Sequence, residues 1–313
     1  MTMPDRRALP AEMIVSGWDA PDGWRHRRFD WPAAAGADRG SLLFQAGRAD
    51  FFEKYLEPLA YWHDRGWHLA GFDWRGQGGS GRLLDDPVTG HLPSLDPLVD
   101  DLAAFVGEWR AATPGPHVLV GHSMGGHLIL RLLAETGAQV DAAVLAAPML
   151  GLKSAPIPGW AAPSIVRAAC ATGRSERRAW EAGESQAAQR VRQRALTHCD
   201  DRFADDGWWK TARPELALGP PSWGWIAAAY ASVAQLGRPG ILEGVTTPIL
   251  LIGADRDRLV SAAAIRAAAA RLKDAELHMI ADAAHELLRE TDSVRLPVMA
   301  TIDSFLDERA PRA

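Results

Sequence analysis

Cysteine is nearly absent from this chain. Only Cys170 and Cys199 occur in 313 residues, so a disulfide framework is not what organises the fold. An excess of positive charge is missing too. The 34 Lys and Arg against 39 Asp and Glu leave a net charge of −5, which gives no electrostatic case for a nucleic-acid partner. No apolar run is long enough to span a bilayer, and the longest, around Ala142 to Leu152, is broken by Pro148. The opening residues MTMPDRRALPAEM lack the apolar core of a signal peptide. The expected location is therefore the cytoplasm, with peripheral contact at a membrane surface left open. Internal repeats and low-complexity tracts are also lacking.

What remains is an ordinary globular composition, 47% hydrophobic and 23% charged, with enough length to bury a sizeable core. Strand-like apolar runs alternate with helical spacing over two separated regions. The first holds Ser41–Gly47, a helix-like FFEKYLEPLAYWHDRG, His68–Gly76, a helix from Ser94 with Ser94 as its cap, HVLVGHS and Asp141–Leu150. The second holds Thr247–Asp255, a helix from Ser261 to Leu272, Ala275–Ala283 and a closing helix near Asp292–Asp307. Such alternation predicts an α/β fold, with a mostly parallel sheet and helices on both faces. From about Gly151 to Gly244 the alternation stops, in an interval holding Trp160, Trp180, Trp208, Trp209, Trp223 and Trp225. We expect residues 1–150 and 245–313 to form the core, and 151–244 to form an inserted cap over one end of the sheet.

The chemistry is concentrated in VLVGHSMGGHLILRLL, Val118 to Leu133. A hydrophobic run enters Gly121-His122-Ser123-Met124-Gly125, and helical spacing resumes beyond it. Glycines two residues either side of a serine suit a sharp strand-to-helix bend that pushes the hydroxyl out at the sheet edge. A serine needs a base to become a nucleophile at neutral pH. In this arrangement an acid and then a histidine follow in chain order, each after a strand. His285, in MIADAAHELL, stands where the base belongs. For the acid there are two candidates in LLIGADRDRLV, Asp257 and Asp255; we favour Asp257, which precedes the pair Leu259-Val260. The oxyanion hole calls for two backbone N–H groups, that of Met124 after the nucleophile and that of Arg48 in the loop FQAGRAD.

FQAGRADFFEKY, DWRGQGGSGR, GHSMGG, AAPMLGL and AAHELLRE follow one another in the order seen in the α/β-hydrolase fold. Together they resemble the bacterial lysophospholipase and monoacylglycerol lipase branch, from about Leu42 onward, with Asp73–His91 especially similar to bacterial lysophospholipases. The resemblance implies a serine hydrolase that cleaves carboxylic esters of glycerol-linked acyl chains through an acyl-enzyme on Ser123. Its partner is then a lipid or ester substrate. One departure is that relatives often place His-Gly where this chain has Ala46-Gly47. The same scaffold also hosts aminopeptidases and general carboxylesterases. A non-catalytic protein holding an apolar ligand is a further alternative, against which the intact Ser–Asp–His order counts.

No cofactor and no metal are expected. His122 and His127 lack the spacing of a helix-borne metal pair, and Asp255, Asp257 and His285 have no second ligand cluster beside them. The glycines of RGQGGSG lack the Lys-Ser/Thr of a phosphate-binding loop. Most of the tryptophans between 160 and 225 are read as packing, one or two as pocket lining. In the insertion Arg167, Arg174, Arg177, Arg178, Arg190, Arg192 and Arg194 outnumber Glu176, Glu181 and Glu184. This reads as a solvated helix face or as a surface that meets phosphate. Head group, acyl length and oligomeric state are not legible.

Overall fold

The structure, a computed structural model, describes residues 5–37, 39–154, 156–181 and 185–312. Glu184 and the first four residues of the N-terminal stretch lie outside them. The first region runs β1 (Ile14–Asp19), β2 (Arg25–Trp31), β3 (Gly40–Gln45), α1 (Leu56–His63), β4 (Trp67–Phe72), α2 (Asp96–Ala112), β5 (His117–His122), α3 (Met124–Thr136) and β6 (Ala142–Ala146). Four helices follow, α4 (Ala162–Ala169), α5 (Gln186–Leu196), α6 (Asp200–Ala212) and α7 (Trp223–Leu236). The chain closes with β7 (Ile249–Ala254), α8 (Ala262–Ala269), β8 (Ala275–Ile280) and α9 (Asp292–Arg309).

The eight strands form one sheet in the order β1-β2-β4-β3-β5-β6-β7-β8. From β4 to β8 every pairing is parallel, while β2 is antiparallel to both β1 and β4. Strands β3, β6 and β7 are buried at every position, because helices cover both faces of a parallel sheet. One apolar layer joins α2, α3, α7 and α8 to the sheet; the other joins α1 and α9. Helix α7 falls within residues 151–244 but packs as part of the first layer, through Trp225, Ala228, Ala229 and Leu236.

The helix expected from Ser94 begins at Asp96, with Ser94 Oγ accepting from the Asp96 N–H at 3.1 Å. Leu95 takes the capping position instead. The helix expected over Ser261–Leu272 is regular only over α8, and Ser261 caps it by accepting from Ala264 N–H. No described helix is long and apolar enough to cross a membrane.

Topology fixes where chemistry can sit. The chain leaves β3 for β4 on one side, then crosses back to β5 on the other. The carboxyl ends of β3 and β5 therefore diverge, which opens a crevice at the switch point. The loop after β3 and the turn after β5 face each other there.

Candidate active site

At the end of β5 the chain must reverse into α3 within one residue. Ser123 takes φ 53°, ψ −114°, a left-handed conformation that costs a non-glycine residue of order 1–3 kcal/mol. Surrounding contacts hold it there. Its N–H donates to the Ala146 carbonyl at 2.9 Å, and its own carbonyl accepts from His127 and Met149 N–H. The flanking glycines are required by crowding. A Cβ on Gly121 would stand 2.6 Å from the Gly126 nitrogen, and one on Gly125 2.3 Å from the Gln45 carbonyl oxygen. Only this close approach lets α3 begin against β3 and leave the serine at its N-terminus.

The loops after β7 and β8 bring Asp257 and His285 to the same place. Ser123 Oγ lies 2.8 Å from His285 Nε2, and His285 Nδ1 lies 2.6 Å from Asp257 Oδ2. The other carboxylate oxygen, Asp257 Oδ1, accepts from the N–H groups of Leu259 and Val260 at 2.7 and 3.0 Å. Burial disfavours charge on Asp257, but His285 and these two N–H groups outweigh it and hold the carboxyl below its ordinary value. The hydrophobic pair after the acid thus turns its backbone toward that carboxylate. Asp255 lies apart from this cluster, half-exposed and paired with Arg266.

On the facing loop, the N–H of Gly47 donates to Asp50 Oδ2 at 3.1 Å and that of Ala49 to Gln77 Oε1. Between them, the Arg48 N–H meets no acceptor among the described residues. Met124 is the first residue of α3, where a backbone N–H has no intrahelical partner. A Cβ on Gly47 would come within 3.2 Å of Ser123 Cβ, so this loop lies directly against the serine.

Behind the site is a buried charge cluster that sequence reading left unassigned. Lys54 Nζ sits 2.6 Å from Asp50 Oδ1 and 2.5 Å from Glu286 Oε1, while Tyr55 donates to Asp50 Oδ2 at 2.8 Å. Lys54 therefore ties the β3 loop to the residue next to His285. Desolvation opposes all three charges, but their mutual attraction prevails, keeping both carboxyls depressed and the ammonium raised. A glutamate directly after the histidine was the one legible hint. His122, its ring 4.8 Å from that of His285, is lowered to about 3 by burial and by its neighbour's charge. The insertion also reaches this loop, since Glu286 N–H donates to the Leu196 carbonyl at 2.7 Å.

The arginines of the insertion divide. Arg178 pairs with Asp86 and Glu181, and Arg192 lies 3.7 Å from Asp206. Among the described residues no group of three or more candidate metal ligands gathers.

An elbow serine hydrogen-bonded to a histidine, on a sheet of this order, defines the class as α/β-hydrolase. The chain belongs to the family described as Serine aminopeptidase, S33, whose pattern spans residues 36–292. It is 32% identical over 281 residues to lysophospholipase L2 of Escherichia coli strain K12, across 85% of this chain and 80% of that one. It is 25% identical over 242 residues to monoacylglycerol lipase of Mycolicibacterium smegmatis, across 77% and 78% of the two chains. Among solved structures, a soluble variant of monoglyceride lipase from Saccharomyces cerevisiae superposes with a TM-score of 0.74 at 17% identity. That likeness covers 99% of this chain and 100% of the other, and it bears on the fold.

Proposed function

We propose that this chain is a serine hydrolase that cleaves carboxylic esters of glycerol-linked acyl chains, passing through an acyl-enzyme on Ser123. The observation that carries this reading is the hydrogen-bonded run Ser123–His285–Asp257 on a strained elbow. His285 Nε2 takes the Ser123 proton as Oγ attacks the ester carbonyl. The charge that develops on the carbonyl oxygen meets the N–H groups of Met124 and Arg48, each such donor contributing roughly 2.7–4 kcal/mol to transition-state stabilisation. Asp257 keeps His285 in the tautomer with its proton on Nδ1 and stabilises the imidazolium. The imidazolium then protonates the leaving glycerol oxygen, and water repeats the sequence to release the fatty acid.

The lysophospholipase and monoacylglycerol lipase names of the relatives supply the substrate class. We further propose that residues 151–244, other than α7, act as a cap, through which a cytoplasmic enzyme touches a membrane. Trp160, Ile165 and Trp180 of this segment are exposed, as suits contact with lipid. The family's description favours one second reading, hydrolysis of aminoacyl amides. Rates on monoacylglycerol, lysophosphatidylcholine, a short p-nitrophenyl ester and an aminoacyl p-nitroanilide test the assignment. Turnover of the first two well above the last is expected; preference for the anilide overturns it.

A further inference from the structure

We propose that Gln77 is a positioning residue for catalysis, whose side-chain carbonyl fixes the direction of the Arg48 N–H in the oxyanion hole. This rests on the reading of Ser123 as the nucleophile and deepens it, since the glycine-rich segment after β4 becomes the support of that hole.

Strands β3 and β4 are parallel neighbours, so the loops that leave their carboxyl ends lie side by side. Side chains of the second loop reach the first. Trp74 Nε1 donates to the Ala46 carbonyl at 2.8 Å, Gln77 Oε1 accepts from the Ala49 N–H, and Asp73 Oδ1 accepts from the Phe52 N–H at 3.2 Å. Gln77 is buried and is itself held. Its N–H donates to the Trp74 carbonyl and its backbone carbonyl accepts from the Ser80 N–H, both at 2.9 Å. Gly78, at φ 49°, lets the chain fold back here, because a Cβ on it would stand 2.2 Å from Asp73 Oδ2.

Each peptide unit is a rigid plane. The plane joining Ala46 to Gly47 is gripped at both ends, its carbonyl by Trp74 and its N–H by Asp50 Oδ2 at 3.1 Å. The plane joining Arg48 to Ala49 is gripped through its N–H by Gln77. Between them, the plane joining Gly47 to Arg48 carries the Arg48 N–H, which meets no acceptor among the described residues. Rotation of that middle plane would exchange the N–H for a carbonyl, which repels an oxyanion. Ala49 takes φ 61°, a left-handed conformation that a residue with a Cβ keeps only where its surroundings enforce it. The Gln77 hydrogen bond is the enforcing contact at that residue's N–H. Donors fixed in advance need no reorganisation as charge develops, so loosening this loop costs rate rather than substrate affinity.

The test uses the full chain, with active sites counted by complete fluorophosphonate labelling. In Gln77→Met, which keeps the length and loses the acceptor, kcat should fall by about tenfold or more while KM stays within about twofold. The second probe is an alkyl trifluoromethyl ketone. Ser123 Oγ adds to its carbonyl carbon, the π pair becomes the oxyanion, and the serine proton passes to His285. The Ki of this ketone should rise by the factor by which kcat/KM falls, in Gln77→Met and in Trp74→Phe alike. A fold defect alone would lower the count of active sites and leave that Ki unchanged. An unchanged Ki in labelled Gln77→Met overturns the proposal. So does an Ala49 amide that exchanges with solvent as fast as the Arg48 amide in wild type, whether or not the variants fold. Wild type that the fluorophosphonate does not label and the ketone does not inhibit would instead remove the hydrolase reading on which the proposal rests.

Discussion

His285 Nε2 stands 2.8 Å from Ser123 Oγ although 162 residues separate them. The strand end after β5 supplies one and the loop after β8 the other. Removing either partner therefore disables the same step. We expect Ser123→Ala and His285→Ala each to lower kcat by about 10⁴–10⁶, and the double variant to be little worse than either. Losses that multiply would show that the two side chains act in separate steps.

Asp257 and Asp255 lie two residues apart and have different surroundings. Asp257 is fully buried on His285, whereas Asp255 is half-exposed on Arg266. Asp257→Asn should lower kcat by roughly 10³–10⁴, because the imidazole loses the partner that fixes its tautomer. Asp255→Asn should stay within a factor of about three, as suits a surface ion pair. Steady-state kinetics on both variants checks the assignment, and the reverse order of effects refutes it.

Proton acceptance from Ser123 requires a neutral imidazole. The rate constant kcat/KM should therefore rise with pH across the range in which histidine loses its proton. A single limb is expected. Asp257 is depressed and already ionised there, and His122, lowered to about 3, is neutral throughout. A pH–rate profile with two limbs in that range would give His122 a role it lacks here.

The six strands β3 to β8 were legible because they read as apolar runs, such as Ile249–Ala254, most of them covered on both faces of the sheet. The hairpin β1–β2 was not. Its strand RHRRFDW carries three arginines that look like loop, yet Arg27 is satisfied by Glu53 and Asp73 and Arg28 by Asp30. The serine and histidine were legible through glycine spacing and strand order. The role of Leu259-Val260 as backbone donors and the Lys54 cluster were not. The first is a local backbone turn onto Asp257, two and three residues back, and the second joins Lys54 to Glu286, 232 residues away; side-chain periodicity encodes neither.

Lys54 gives that cluster a stability test. Replacing it with Met leaves Asp50 buried with no cation and Glu286 with Arg289 alone, which should cost about 3–5 kcal/mol in urea denaturation at neutral pH. The sign with pH follows from the two depressed carboxyls. Their contribution is complete above the ordinary values of 3.8 and 4.5 and is lost as pH falls through the depressed ones. The gap between wild type and Lys54→Met should therefore narrow in acid. A gap that widens in acid would contradict the cluster as described.

The central claim is that Ser123 is an activated nucleophile. Incubation of the full chain with a fluorophosphonate, followed by intact-mass and peptide analysis, tests it most directly. One covalent adduct is expected, located on Ser123, abolished in Ser123→Ala and strongly slowed in His285→Ala. An unlabelled chain, or a label on another residue that persists in Ser123→Ala, would contradict it.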